Sequence, residues 1–170
     1  MTAQFHDGLV YRGQEFAVIT PAPEVLFDPN QHGIETIAKC TACWRGYVCK
    51  FLIENNRLFL DHLTVNLKVR AQPLFGIQPK PETNHLYDAI YDHMRHPIAY
   101  SGNVTLARGF IDALYEHGGF APAWKFREVH VLTFEAGVLT QESDVSESAA
   151  AERDALRTTN RLPPDAPTTR

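Results

Sequence analysis

Residues 43–67 read CWRGYVCKFLI-ENNR-LFLDHLTVNL: two long apolar-rich runs, Cys43–Ile53 and Leu58–Leu67, with four polar residues between them. Asparagine accepts the positive φ that a two-residue type I′ turn demands, so Asn55-Asn56 predicts an antiparallel ribbon that reverses there. Counting outward from that turn pairs Glu54 with Arg57, Leu52 with Phe59, Lys50 with Asp61, Val48 with Leu63, Gly46 with Val65 and Trp44 with Leu67. The opposite face then pairs Ile53 with Leu58, Phe51 with Leu60, Cys49 with His62, Tyr47 with Thr64 and Arg45 with Asn66. Two opposite-charge pairs fall into this register, each contributing about 0.2–1 kcal/mol.

Either side of the ribbon the chain stays β-prone. Leu9–Arg12 and Glu15–Ile19 flank Gly13-Gln14, which predicts a hairpin. Pro21, Pro23 and Pro29 then exclude a long helix or a central strand. From Asn84 to Met94 the period changes: Leu86, Ile90 and Met94 recur every four residues, which predicts an amphipathic helix capped by Asn84 or Thr83 and ended before Pro97. Ile98–Leu106 alternates and reads as a strand, and Phe110–His117 fits a short helix and a strand equally. Trp124–Glu135, Ala136-Gly137 and Val138–Thr140 read as a closing hairpin.

The fold expected is α+β and mainly antiparallel, a sandwich or partly open barrel with one clear amphipathic helix. Residues 1–141 form its single domain. Residues 142–170, rich in Ser, Ala and Pro, follow as a loose tail with one helix-capable run, Ala149–Arg157.

With 170 residues, 44% apolar and 21% charged, the chain can bury a core without metals or disulfides, and its net charge of -4 gives phosphate backbones no attraction. No nucleic-acid partner is therefore expected. Neither a leader-like start nor a membrane-length apolar run is present, so the address expected is the cytoplasm, with no membrane partner. Cys40, Cys43 and Cys49 are an odd number within ten residues, which reads as free thiols.

On an extended strand Cys43 and Cys49 lie about 20 Å apart, with Cys40 facing away, so the three thiols cannot meet on one metal ion. The polar stripe His85, Asp88, Asp92 and His96 on the predicted helix reads as a solvated face, and Tyr115–Phe120 as a weak loop-site signal. Phosphate-cradling, serine-elbow and zinc-protease motifs are absent; no catalytic residue, metal or cofactor is assigned.

The candidate binding set is Trp44, Arg45, Tyr47, Cys49, His62, Thr64 and Asn66, gathered at the open end of the ribbon. Trp, Tyr and Arg dominate binding hot spots. Two structural alternatives stand beside this: Trp44 as a core residue, and Arg45 paired with a carboxylate on an adjacent strand. The chain is expected to be a non-enzymatic binding protein with a protein partner. The alternative is a small-molecule binder or enzyme that sets Cys49 opposite His62 beside Arg45 and Tyr47. The oligomeric state is left open.

Thr41-Ala42-Cys43-Trp44-Arg45-Gly46-Tyr47-Val48 with Leu58-Phe59-Leu60 resembles a family of small bacterial proteins without an assigned activity. Tyr100-Ser101-Gly102-Asn103-Val104, Tyr115–Phe120 and Leu132–Glu135 with Gly137 and Leu139 resemble that family's second half. The resemblance runs from about Leu9 to Thr140. It implies a small bacterial binding protein of immunity or accessory type and brings no catalytic residue with it.

Overall fold

The computed structural model describes residues 2–19, 26–81 and 86–159. Among the described residues the frame is a single sheet of ten strands: β1 (Asp7–Tyr11), β2 (Gln14–Val18), β3 (Tyr47–Glu54), β4 (Arg57–Val65), β5 (Lys80–Pro81), β6 (Ala89–Tyr91), β7 (His96–Pro97), β8 (Gly102–Phe110), β9 (Phe126–Glu135) and β10 (Val138–Asp144). The order runs β10-β9-β8-β2-β1-β3-β4-β6-β5, with β7 also on β4, and β1 lies parallel to β3 while the other pairings are antiparallel. β10 returns to β4 through Val138 and Arg57, so the sheet curls part of the way into a ring without becoming a barrel. Leu9, Phe16, Phe51, Leu58, Leu60, Leu63, Val104, Leu106, Leu132 and Phe134 fill the concave side.

The Asn55-Asn56 turn forms as expected, at φ 50° and 57°. From it the predicted register holds through Phe51–Leu60 and then fails. Asp61 is an extra residue that bulges out of the ladder, after which Lys50 faces His62, Cys49 faces Leu63, Val48 faces Thr64 and Tyr47 faces Val65. Lys50 is therefore not opposite Asp61, nor Cys49 opposite His62. The apolar spacing explains the bulge: Leu58 and Leu60 are two apart, Leu60 and Leu63 three, Leu63 and Val65 two again. Absorbing one residue keeps all four buried on the core face.

The first hairpin turns at Arg12-Gly13, φ 51° and 73°, one residue earlier than expected. The predicted helix is absent from residues 86–94, while Asn84 and His85 lie outside the described residues. Burial there follows period two, Tyr87, Ala89 and Tyr91, and Ala89–Tyr91 pairs with β4. Left-handed φ at His93 and Arg95 stops any helix from continuing. The stripe it was to carry is dispersed: Asp88 holds Lys39 at 2.6 Å, Asp92 holds Lys80 at 3.0 Å, and His96 stacks on Phe75.

The strand expected over Ile98–Leu106 begins at Gly102 and runs to Phe110; beyond it Asp112–Leu114 makes a 3-10 turn. The closing hairpin forms, with positive φ at both Ala136 and Gly137. Packing does not stop near Gln141. The molecule's one α-helix among the described residues, α1 (Ser146–Thr158), covers the convex side of β8 and β9, where Ala149 joins Ala107, Phe126 and Val129. Arg153 Nη1 donates to the carbonyls of Trp124 and Phe126 at 2.8 and 3.1 Å, fastening the helix further. Residues 160–170 of the expected tail, like Pro21 and Pro23, lie outside the described residues. No described helix is long and apolar enough to cross a membrane.

Candidate functional site

The seven candidate residues do not form one patch. Tyr47 and Cys49 lie with Phe51 on the core face of β3, and the bulge turns His62 and Thr64 to the convex face. Asn66 is buried, its amide held by the carbonyl of Leu86. Cys49 has no solvent-exposed surface, and burial first, then the Asp7 carboxylate, push its thiol well above the ordinary range. A thiol so placed is a core side chain and cannot act as a nucleophile. All three cysteines are free, and among the described residues no three or more His, Cys, Asp or Glu side chains converge as metal ligands.

Arg45 takes the structural role weighed for it. Its guanidinium lies over the Tyr47 ring and makes a two-pronged ion pair with Asp7 at 2.8 and 2.9 Å; Asp7 also accepts the Cys49 backbone N–H at 2.8 Å. Burial pulls the guanidinium pKa down, but Asp7's hydrogen bonds and charge outweigh it and the net shift is upward. Asp7 begins β1 and Arg45 precedes the parallel β3, so the pair ties two neighbouring strands at one end.

Trp44 goes the other way: it is 51% exposed, not core. Around it the structure gathers three segments distant in sequence. The Gln4 backbone N–H donates to Gly119, its side chain donates to Thr41 and accepts from the Trp44 N–H, and the Phe5 N–H donates to Ala42. Gln4 itself is buried, while the aromatic side chains beside these anchors face solvent: Phe5 43%, Trp44 51%, Tyr115 51% and Phe120 46% exposed. His6 completes the joint. Nδ1–H donates to the Val18 carbonyl and Nε2 accepts the Ala121 N–H, so the ring works as a neutral bridge, and burial lowers its pKa.

Two hollows share the wall formed by His6, Phe110 and Phe126. One, of about 500 Å³, lies on the convex face over Gly8, Ala17 and Ala107 and is bordered by Lys50, His62 and Thr64. The second, of about 390 Å³, opens beside Tyr115 and Phe120 and reaches the buried Lys125. Residues of the loop singled out in the sequence, Tyr115–Phe120, line it; what sequence reasoning missed is that Phe5 and Gln4 complete the same end. No local pattern signals that assembly, because its bonds join segments up to 115 residues apart.

A polar cluster also went unforeseen. Glu128 receives Arg108 Nε at 2.9 Å and contacts His130 at 3.1 Å, while Tyr11 and Arg12 both donate to Glu142. The alternation of Glu128, His130 and Leu132 on β9 would have placed the first two on the core face, at its rim. Comparison of the chain with protein-family models, with curated proteins and with solved structures gives no match.

Proposed function

We propose that this chain is a non-enzymatic binding protein that recognises a protein partner through the aromatic end built by Phe5, Trp44, Tyr115 and Phe120. The supporting observation is the exposure of four large aromatic side chains on segments that a buried glutamine holds together. Exposed aromatics in isolation are ordinary; several carried on segments braced together at one end supply the residue types of an interface centre, where Trp and Tyr carry most of the energy. Arg45 supports this surface from beneath and leaves the contact itself to Trp44.

The catalytic alternative loses its parts. It needed Cys49 beside His62, and the two side chains occupy opposite faces of the sheet.

The test is recovery of the partner from cells that express the chain natively, followed by measured affinity for wild type and for Trp44→Ala. A loss of about 2 kcal/mol, close to thirtyfold in Kd, is expected with the melting midpoint unchanged. Undiminished affinity in Trp44→Ala, and in Phe120→Ala, would refute the assignment.

A further inference from the structure

We infer that the hollow beside Tyr115 and Phe120 receives a lysine or arginine side chain of the protein partner. This rests on the binding reading above and names the chemistry of its central contact.

The hollow holds about 390 Å³, ample for one long side chain, and Phe110, Tyr115, Phe120 and Phe126 are among the residues that line it. Three charged side chains also line it: Asp112, Glu116 and Lys125. Lys125 is buried and its ammonium meets Glu116 at 2.6 Å, so those two charges cancel. The Asp112 carboxylate has no ion-pair partner among the described residues. One uncompensated negative charge therefore stands at the mouth of an aromatic-lined space. Aromatic faces carry negative potential and attract cations, while an incoming carboxylate would meet Asp112 and compete with Glu116 for the Lys125 ammonium.

The same end of the molecule already handles cations in this way. The Arg45 guanidinium lies 5.8 Å from the Phe120 ring centre and the Lys125 ammonium 5.0 Å from that of Trp124. Arg45 is neutralised by both oxygens of Asp7, so it does not repel a second cation. The chain's net charge of -4 favours the approach of a basic partner.

The experiment is an NMR titration of the full chain at about pH 7 with N-acetyl-lysine methylamide, and in parallel with the norleucine analogue, which keeps the apolar stem and lacks the charge. The lysine compound is expected to shift the amides of Asp112–Phe120 saturably and the norleucine compound to bind at least about threefold more weakly. Tyr115→Leu and Asp112→Asn change exposed side chains, and each is expected to weaken the lysine compound about two- to fivefold. Equal binding of the two compounds, absence of shifts, or indifference to both substitutions would overturn the inference. Because no partner is present in the titration, its failure leaves the Trp44 test standing. Success with no Trp44-dependent partner would refute only the larger reading.

Discussion

His6 uses both ring nitrogens, one as donor to Val18 and one as acceptor from Ala121, and an imidazolium has no acceptor left. Burial dominates and sets the direction of its pKa downward, against the Val18 hydrogen bond and the Asp7 charge, which favour the charged form, and with Arg45, which opposes it. A base whose folded pKa lies below its unfolded value contributes stability that is complete above the unfolded value, about 6.5, and is lost as the pH falls through the folded one. Stability measured by chemical denaturation should therefore decline from about pH 7 to about pH 5, and His6→Asn, which cannot titrate, should flatten that decline. His62 and His96, also lowered mainly by burial, will leave a residual slope. An equal slope in the variant would remove His6 from this role. At this scale the sequence offered types without partners. Arg45 was seen to need a carboxylate or a ligand, but Asp7 is 38 residues away and nothing local names it. For Trp44 the sequence left an exposed binding anchor and a core residue both open; the fold shows it facing solvent.

Among the elements, the Asn55-Asn56 turn was legible because its constraint is local: two residues at positive φ, and two asparagines to occupy them. Asn56→Val places a β-branched side chain at φ 57° and should cost at least about 1 kcal/mol, whereas Asn56→Gly should change stability by only a few tenths of a kcal/mol. Equilibrium denaturation of both variants checks this, and equal costs would mean the turn geometry is wrong. The bulge at Asp61 was legible in principle, through the broken spacing between Leu60 and Leu63, yet a rigid count from the turn passes over it. That single residue decides the candidate site, since it moves Cys49 and His62 to opposite faces. The segment 86–94 carries two periods at once, and the helical one is conspicuous only until β4 offers Tyr87, Ala89 and Tyr91 a surface to cover.

For the molecule as a whole, the class was readable from turn chemistry and alternation, with a partly open barrel as one of its two expected forms, but which strands close the curl was not, because that depends on which distant edges meet. Closure rests on two hairpin turns in contact: Leu58 N–H donates to the Gly137 carbonyl and Leu139 N–H to that of Asn56. Gly137 sits at φ 79°, and a Cβ there would come within 2.2 Å of the Ile98 carbonyl oxygen. Gly137→Ala should lower stability by more than about 2 kcal/mol, while Ala136→Gly, relieving an alanine at positive φ, should raise it slightly. Melting midpoints of the pair provide the measurement; an unaffected Gly137→Ala would show that the junction is dispensable. The same junction governs how the chain is made. Arg57 leaves the ribosome long before Val138, so the nascent polypeptide holds an open sheet edge until its closing hairpin is synthesised. Pairing of such remote segments folds slowly, and during that interval β6 and β7 already line most of β4, leaving its turn end at Arg57 as the part that waits for β10.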